Sequence, residues 1–408
     1  MNAATKQYAL AHADDDVRQL ALQGCKDAAV DMATALRQIS GRQAARRKIP
    51  SWAAIDDIVY PPHLSMEQCS SEATASYKAR LVSKLMKPVG HYRKLVDLTG
   101  GFGVDFAFLC ELFDEGVYVE RDETLCAIAH HNFQVIGSIK AAVVNADSET
   151  FLHRMEEHVT LIFLDPARRN LHGARTYGLS DCSPNVLPMM DELLAKADYV
   201  LLKLSPMLDW RKAVDDVGAE HVEQVHIVAV AGECKELLLL LSAQGTPQPL
   251  LVCSNDDRQE TFFLNENNEP AGNSRISGAG VPCPLFLFEP HAALMKGGRF
   301  NELALRYGVA PLAPNSHLFV ADKSEEQFPG RMFRVTATST MNRQELKEKV
   351  LPLRQANISV RNFPMSADAL RKKLKLSDGG DNYLFATTLV DGSHVLLICH
   401  KQVTKNNK

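Results

Sequence analysis

Short apolar runs alternate with amphipathic segments between residues 94 and 230, and this alternation limits the chain to few folds. Runs such as KLVDL, GVYVE and VTLIFLD are typical of buried strands, and segments such as TLCAIAHHNFQVI and PMMDELLAKA are typical of helices. Strands joined through helices become parallel neighbours with helices on both faces of the sheet. We therefore predict an α/β fold over residues 91–265, with a doubly wound, Rossmann-like sheet.

Other patterns flank this predicted domain. Residues 1–90 carry helix-forming stretches such as DDVRQLALQGC, which predict a helical N-terminal unit. Residues 266–330 are rich in turns around one strand-like run, PLFLFEP, and predict a small α+β unit. Residues 331–404 alternate strands with helices and close with two strands around the turn Asp391-Gly392, which predicts a second α+β unit.

Composition narrows the class of protein. Of 408 residues, 46% are hydrophobic and 23% are charged, which is typical of a soluble chain with buried cores. No apolar run reaches the roughly 18 residues that a membrane helix needs. The N-terminal segment reaches acidic residues before an apolar stretch forms, unlike a secretory signal. We expect a cytoplasmic protein without membrane contacts.

The nine cysteines lie far apart, and none forms a C-x-x-C pair or a cluster with metal-ligand spacing. His130 and His131 are adjacent, but neighbours on a helix point about 100° apart. We therefore expect no bound metal.

Charge is distributed unevenly along the chain. From Arg331 to the end there are 14 Lys and Arg against 6 Asp and Glu, a net charge of +8. Residues 1–330 hold 31 against 43, a net charge of −12. A basic C-terminal unit on an acidic body predicts contact with a polyanion, and a solvated basic face without a ligand is the alternative.

The run VDLTGGFGVD, from Val96 to Asp105, stands where the first predicted strand ends and a helix begins. Small residues there let the backbone approach a ligand beyond the carboxyl ends of the strands. The dinucleotide fingerprint G-x-G-x-x-G would need glycine at position 106, where Phe106 stands. A nicotinamide enzyme is therefore disfavoured.

This run resembles motif I, D-x-G-x-G-x-G, of the class I S-adenosylmethionine-dependent methyltransferases, with Thr99 in the place of the first glycine. In that family the turn passes under the methionine part of the cofactor. The resemblance implies S-adenosyl-L-methionine as cofactor. The residues that it implies for this part of the cofactor site are Asp97, Thr99, Gly100, Gly101 and Gly103.

The resemblance continues at the next three predicted strand ends. Glu120 follows the second strand, where the family has an acidic acceptor for both ribose hydroxyls, and Asp147 follows the third, near the expected adenine amine. After the fourth strand, LDPAR is similar to the family's D/N-P-P-x motif. It implies that Asp165 orients or deprotonates the methyl acceptor and that Pro166 stiffens the backbone there.

The details of this fourth motif bear on the substrate. Ala167 replaces the second proline, and Arg168 replaces the aromatic ring that stacks on a flipped base in methyltransferases of exocyclic amines. Arg168 and Arg169 are predicted either to hold an RNA phosphate or to pair with acidic neighbours. Lys203, in KLSP after the fifth strand, either steers a phosphate or is an ordinary strand-end lysine. We expect Cys182 to be structural rather than nucleophilic.

The segment from Ser70 to Lys78, SSEATASYK, precedes the first strand of the predicted sheet. Many methyltransferases carry a lid over the cofactor at this place. A capped helix in the N-terminal unit explains the same residues equally well, with Ser70 or Ser71 as the cap.

The C-terminal unit resembles the THUMP-like domain that follows the class I methyltransferase domain in a bacterial family, and the part around PLFLFEPHAALMKGG resembles that family's ferredoxin-like unit. True THUMP domains bind structured RNA, so the resemblance implies rRNA or tRNA as partner. Arg371, Lys372 and Lys373 would form the face that contacts phosphates.

The leading interpretation is a methyltransferase that modifies a base in structured RNA. One alternative is a catalytically weak RNA-binding module on a methyltransferase fold. Another is a methyltransferase of small molecules or proteins, whose basic C-terminal unit binds a different partner.

Overall fold

The structure is a computed structural model, which describes residues 1–85, 92–138, 140–168, 178–265 and 285–402. The chain divides into two compact units, Met1–Val230 with Lys235–Pro249 and Ala231–Cys234 with Leu250–Lys408. The domain limits expected from the sequence, after residues 90, 265 and 330, stay predictions. Within the described ranges no helix has both the length and the apolar character that crossing a membrane would require.

The first unit opens with a helical segment, as the sequence predicts. Its helices are α1 (Ala3–Ala11), α2 (Val17–Gln23), α3 (Met32–Lys48), α4 (Pro50–Ala53), α5 (His63–Gln68) and α6 (Glu72–Ser83). Ser71 is the N-cap of α6, because its side chain accepts the backbone N–H of Thr74 at 3.2 Å. The segment that leads into the sheet thus contains a capped helix.

The rest of the first unit is the predicted α/β domain. Its strands are β1 (Lys94–Asp97), β2 (Glu115–Glu120), β3 (Ala141–Asn145), β4 (Val159–Leu164), β5 (Ala167–Arg168), β6 (Cys182–Ser183), β7 (Ala197–Leu204), β8 (Val222–Val230) and β9 (Glu233–Leu241). Its helices are α7 (Val104–Cys110), α8 (Glu123–Val135), α9 (Ser148–Arg154), α10 (Met190–Lys196) and α11 (Trp210–Val217). The main sheet of this unit has the order β3-β2-β1-β4-β7-β9-β8, and β5 pairs with β6 in a separate ribbon. The doubly wound, Rossmann-like prediction is confirmed.

One strand departs from the parallel pattern expected from the sequence. From β3 to β7 all neighbours in the sheet are parallel, but β9 runs antiparallel to β7. Only two residues separate β8 from β9, and a parallel connection needs a crossover of a dozen or more residues. The apolar run at Leu237–Leu241 therefore inserts as an antiparallel strand, with every one of its side chains buried.

Three aromatic rings pack below the turn that follows β1. Phe106, Tyr118 and Phe133 are buried, and their ring centroids lie 5.0 to 5.7 Å apart. Aromatic side chains of this size contribute large apolar areas to a core. Phe106, which breaks the dinucleotide fingerprint, thus forms part of the floor that supports the glycine turn.

The second unit is a separate α+β structure. Its strands are β10 (Leu250–Asn255), β11 (Arg258–Phe263), β12 (Leu285–Pro290), β13 (Ala310–Pro311), β14 (Phe319–Ala321), β15 (Gly330–Ser339), β16 (Asn357–Arg361), β17 (Asn382–Thr388) and β18 (His394–Lys401). Its α-helices are α12 (Ala292–Gly297), α13 (Phe300–Tyr307), α14 (Arg343–Glu345) and α15 (Ala367–Leu374). β12 to β18 form a sheet of order β13-β14-β12-β15-β18-β17-β16, and β10 pairs with β11 as a hairpin.

The helix expected at RQELKEKVLPLRQ in the second unit is irregular. After α14 the chain continues as a π-helical turn, Leu346–Val350, and a 3-10 turn, Leu351–Leu353. Pro352 has no N–H to continue an α-helical ladder, which explains why the helix ends here. The two strands expected around Asp391-Gly392 are present as β17 and β18.

Candidate active site

The turn between β1 and α7 is shaped by its glycines. The N–H of Gly100 donates to the carbonyl of Val119 at 2.9 Å, so the turn is tied to the neighbouring strand β2. A Cβ added at Gly100 would lie 2.2 Å from the Tyr118 ring, and one added at Gly103 would lie 2.8 Å from the Phe133 ring. Any larger residue at Gly100 or Gly103 would therefore have to displace either a buried aromatic ring or the turn itself.

Glu120, the last residue of β2, faces this turn. Its Oε2 accepts the N–H of Gly101 at 2.9 Å, and its Oε1 accepts the N–H of Asp122 at 2.9 Å. Gly101 has a φ of +58°, which favours glycine and which points its N–H at the carboxylate. Each oxygen of a carboxylate has two lone pairs, so each Glu120 oxygen keeps one for a further donor.

Asp147 follows β3 and caps α9. Its side chain accepts the N–H groups of Glu149 and Thr150 at 3.0 and 3.2 Å. The next residue, Ser148, donates to the carbonyl of Leu98 at 2.6 Å and so ties this cap to the turn after β1. Asp147 is therefore held at the same end of the sheet as Glu120.

Asp97 and Thr99 connect the first and fourth strand ends. The buried Asp97 carboxylate accepts the N–H of Thr99 at 2.9 Å, and the Thr99 hydroxyl accepts the N–H of Asp165 at 2.6 Å. Burial raises the pKa of Asp97 well above its ordinary value, against the effect of the Thr99 N–H. A glycine at position 99, as in the family's motif, has no hydroxyl and could not make the hydrogen bond to Asp165. This bond is a structural reason for the departure from the motif at Thr99.

Asp165 stands after β4 and is paired with a lysine. Its Oδ2 accepts a hydrogen bond from Nζ of Lys203, at the end of β7, at 2.6 Å. Burial raises the pKa of the Asp165 carboxyl, although the Lys203 ammonium acts in the opposite direction. Lys203 contacts Asp165 through this one oxygen, and Pro166 restricts the backbone directly after Asp165.

Lys203 is the partner of two carboxylates. Its residue is 8% exposed, and Nζ also lies 3.4 Å from Oδ2 of Asp105 on α7. Burial disfavours the ammonium, yet Asp165 and Asp105 outweigh this effect and raise the pKa of Lys203 well above its ordinary value. To steer a phosphate, as one prediction has it, the Lys203 ammonium would have to give up its ion pairs with Asp165 and Asp105. We therefore propose that Lys203 acts as the partner of Asp165.

These residues line one cavity of about 560 Å³, which is within the range of small-molecule sites. The residues predicted from the sequence that border it are Asp97, Thr99, Gly100, Gly101, Gly103, Glu120, Asp147, Asp165, Pro166 and Lys203. The backbone of Arg168 pairs with Cys182 in the β5–β6 ribbon, and Arg169 lies outside the described residues. Cys182 is buried and also borders the cavity.

Sequence reasoning missed a group of buried polar residues beside this cavity. They are Ser70, Lys78, Asp105 and Glu236. Ser70 and Lys78 belong to the segment that the sequence assigned to a lid or a capped helix. No sequence pattern relates Ser70 and Lys78 to Glu236, which stands in an apolar strand more than 150 residues away. The one available signal is that Glu236 is a charged residue directly before the apolar run LLLLL, where a buried ion pair could be expected.

The three basic residues expected to contact phosphates lie on α15 and differ in their surroundings. Arg371 donates to the carbonyl of Ala356 at 3.0 Å and pairs with Asp378 at 2.7 Å. Lys372 and Lys373 are exposed. Arg371 thus stabilises its own loop, and the two lysines are the better candidates for a phosphate contact.

Across residues 1–85, 92–138, 140–168, 178–265 and 285–402, no three His, Cys, Asp or Glu side chains are grouped so that they could hold a metal ion. The acidic residues of the cavity are paired instead with lysines and backbone N–H groups.

Two family models match the second unit. Residues 330–401 match a family described as THUMP domain-like, and residues 286–329 match one described as a ferredoxin-like domain. Comparison with curated protein sequences finds no match.

Solved structures extend the likeness to the whole chain. The crystal structure of a proposed methyltransferase from Porphyromonas gingivalis W83 is 33% identical, with a TM-score of 0.83, and the match covers 98% of each chain. An rRNA methylase from Streptococcus thermophilus is 13% identical over 42% of this chain and 95% of its own, with a TM-score of 0.31. A proposed methyltransferase from Streptococcus mutans, solved with SAH, is 12% identical over 40% of this chain and 94% of its own, with a TM-score of 0.30.

The match to the Porphyromonas protein spans both units, and the turn, strand order and C-terminal matches agree with the resemblance read from the sequence. The chain therefore belongs to the family of class I S-adenosylmethionine-dependent methyltransferases that carry a C-terminal THUMP-like domain.

Proposed function

We propose that this protein uses S-adenosyl-L-methionine to methylate a base in structured RNA, either rRNA or tRNA. The observation that carries the proposal is that Glu120, Asp147 and Asp165 line one cavity around the glycine turn after β1. Two of these carboxylates suit the cofactor and the third suits the methyl acceptor. The THUMP-like match of the second unit supports RNA as the substrate.

The residues of the cavity fit the proposed cofactor. Each oxygen of Glu120 has one backbone N–H partner and one remaining lone pair, which suits the two vicinal hydroxyls of a ribose. Asp147 is fixed by its cap at the neighbouring strand end, where it can accept the adenine amine. Gly100 and Gly103 keep the backbone low over the Tyr118 and Phe133 rings, which leaves space for the methionine part.

The cofactor supplies a methyl group on a sulfonium, whose positive charge already makes the leaving group good. The protein has to align the acceptor with that methyl and exclude water. Asp165 accepts a hydrogen bond or a proton from the acceptor through the oxygen that Lys203 does not hold. Pro166 and the Thr99 hydroxyl fix the backbone of Asp165, so the carboxylate stays aimed at the acceptor.

The most direct test compares total RNA from a strain that lacks the protein with RNA from its parent. We expect one methylated nucleoside to be absent or strongly reduced, and to return when the protein is supplied again. Unchanged RNA, together with calorimetric binding of the cofactor, would favour a methyltransferase of small molecules or proteins. Absence of cofactor binding would favour the remaining alternative, a catalytically weak RNA-binding module on a methyltransferase fold.

Charge removal at Lys372 and Lys373 tests the RNA contact. Both side chains are exposed on α15, and each phosphate that they neutralise releases counterions from the RNA. The double variant Lys372→Ala with Lys373→Ala should weaken RNA binding and lower the slope of log K against log salt by about 2. The measurement is a binding titration of the full chain with tRNA and rRNA at several salt concentrations.

A matched control removes two exposed basic residues from the N-terminal helical segment, Arg18→Ala with Lys26→Ala. We expect the control to keep the slope of the wild type. Equal slopes for both double variants would remove α15 from the RNA interface.

A further inference from the structure

A fully buried lysine lies behind the candidate active site. Lys78, on α6, is 0% exposed, and its Nζ contacts Oε2 of Glu236 and lies 3.1 Å from Oδ1 of Asp105. Lysine is almost never fully buried unless it is paired, and here two carboxylates pair with it. Its partners come from β9 and α7, so three separate parts of the chain meet at this ammonium.

The same Asp105 connects Lys78 to the cavity. Its Oδ2 lies 3.4 Å from Nζ of Lys203, which in turn contacts Asp165 at 2.6 Å. Charges therefore alternate along one series, Glu236, Lys78, Asp105, Lys203 and Asp165. The series runs from the fully buried Lys78 to Asp165, whose side chain is 36% exposed in the cavity.

Ser70 adds a directional hydrogen bond to this series. Its hydroxyl lies 2.7 Å from Oδ2 of Asp105 and 3.1 Å from Oε1 of Glu236. A hydroxyl has one hydrogen, and the shorter distance assigns it to Asp105. Burial disfavours the charged form, yet Lys78 and Lys203 outweigh it and lower the pKa of the Asp105 carboxyl.

Such a series is a costly way to fill a core. Taking each charge out of water carries a large desolvation cost, and well-packed apolar side chains often give equal or greater stability. Buried charge clusters that shift the pKa values of groups in a cleft are typical of functional sites. The end of this series at the proposed acceptor-binding carboxylate gives the cluster a function beyond packing.

We propose that Lys78 and Glu236 are positioning residues for methyl transfer, which act through Asp105 to set how strongly Lys203 pairs with Asp165. The inference rests on the proposed function and assigns a role in it to the N-terminal helical segment, which supplies Lys78 and Ser70. Lys78 competes with Lys203 for Asp105, and Glu236 competes with Asp105 for Lys78. Neither Lys78 nor Glu236 borders the cavity, so both act on the acceptor through Asp165, on which the charge of Glu236 also acts directly.

Loss of the Lys78 charge and loss of the Glu236 charge should shift the pKa of Asp165 in opposite directions. In Lys78→Met, Asp105 loses one cation and draws Lys203 away from Asp165, so the pKa of Asp165 rises. In Glu236→Gln, Lys78 loses one of its two carboxylates and pairs more strongly with Asp105. Lys203 then pairs more strongly with Asp165, so the pKa of Asp165 falls. Damage to the fold alone would not give shifts of opposite sign.

Other ionisable groups near Asp165 stay the same in both variants. They include Asp97 at the end of β1, Cys69 before α6, Cys182 on β6 and Lys235 beside Glu236 on β9, all of which border the cavity, as do Glu120, Arg121, Asp147 and Glu149. Because these groups are unchanged, the difference between the variants and the wild type reports on Lys78 and Glu236.

The experiment follows the Asp165 carboxyl by carbon-13 NMR in the full chain labelled at the Asp carboxyl carbon, with the signal assigned by its loss in Asp165→Asn. We expect its titration midpoint to move up by about one pH unit in Lys78→Met and down by a similar amount in Glu236→Gln. Lys94→Met is the matched control, because Lys94 is also largely buried between two carboxylates, Glu115 and Glu157, but at the amino end of β1. It should leave the midpoint unchanged.

Turnover gives a second readout. The acid limb of kcat should move with the Asp165 midpoint, to higher pH in Lys78→Met and to lower pH in Glu236→Gln, while KM for the cofactor stays within about twofold. If Lys78→Met does not fold, Ser70→Ala should give a smaller upward shift, because it removes one donor from Asp105.

Shifts of the same sign in Lys78→Met and Glu236→Gln, or midpoints equal to those of the wild type and Lys94→Met, would overturn the positioning role. The NMR titration needs neither RNA nor turnover. A wild type without methyl transfer therefore contradicts the proposed function alone, and its titration still decides the role of Lys78.

Discussion

Asp165→Asn should reduce methyl transfer at least about 100-fold, because general acid–base groups contribute on the order of 10² to 10⁴ to a rate. Asn keeps the shape of Asp165 but does not accept a proton at neutral pH. Glu120 and Asp147, which we propose bind the cofactor, are not altered, so we expect the cofactor Kd to stay within about twofold. Single-turnover transfer and calorimetric titration measure the two effects separately.

Asp198→Asn is the matched control for this substitution. Asp198 stands at the amino end of β7, lies 3.2 Å from Nε2 of His158, and has a side-chain exposure of 38% against 36% for Asp165. The control removes a comparable carboxylate from the opposite end of a parallel strand, and it should leave transfer unchanged. Full turnover in Asp165→Asn would show that the acceptor needs no carboxylate there.

The second large effect is expected for Gly100→Ala. A Cβ at Gly100 would lie 2.2 Å from the ring of Tyr118, which is buried against Phe106 and Phe133. The ring has no room to move, so the turn must shift and carry the Gly101 N–H away from Glu120. We expect the free energy of unfolding to fall by about 1–3 kcal/mol and the cofactor Kd to rise more than about tenfold.

Gly137→Ala separates this steric effect from backbone strain. Gly137 has a φ of +77° with nothing within 4 Å of an added Cβ, and it does not border the cavity. Strain should cost the control about 1–2 kcal/mol of stability without changing cofactor affinity. If thermal unfolding and calorimetry gave the same result for both glycines, the close approach of Gly100 to Tyr118 would not matter for the site.

Local patterns in the sequence predicted the parts of the site that depend on short segments. The alternation of apolar runs and helices was enough for the doubly wound sheet, and the glycine run located the turn after β1. Glu120, Asp147 and Asp165 could be expected at one edge because the carboxyl ends of parallel strands meet there. The structure places all three around the same cavity.

The rest depends on contacts between distant parts of the chain. The antiparallel direction of β9 follows from the two-residue connection between β8 and β9. The apolar pattern of β9 does not predict this direction. Lys78 and Glu236 are 158 residues apart, and no periodicity relates them. Arg371 belonged to a basic cluster in the sequence, but only the folded loop shows that its guanidinium binds Ala356 and Asp378.

The contacts of Lys78 also constrain the order in which the chain can mature during synthesis. Lys78 and Asp105 leave the ribosome long before Glu236. In a nascent chain that ends before β9, Lys78 therefore has Asp105 as a partner but lacks Glu236. Domains generally fold as units once their last element is available. The candidate active site is therefore completed only after translation has passed β9, and a product truncated before that strand should lack it.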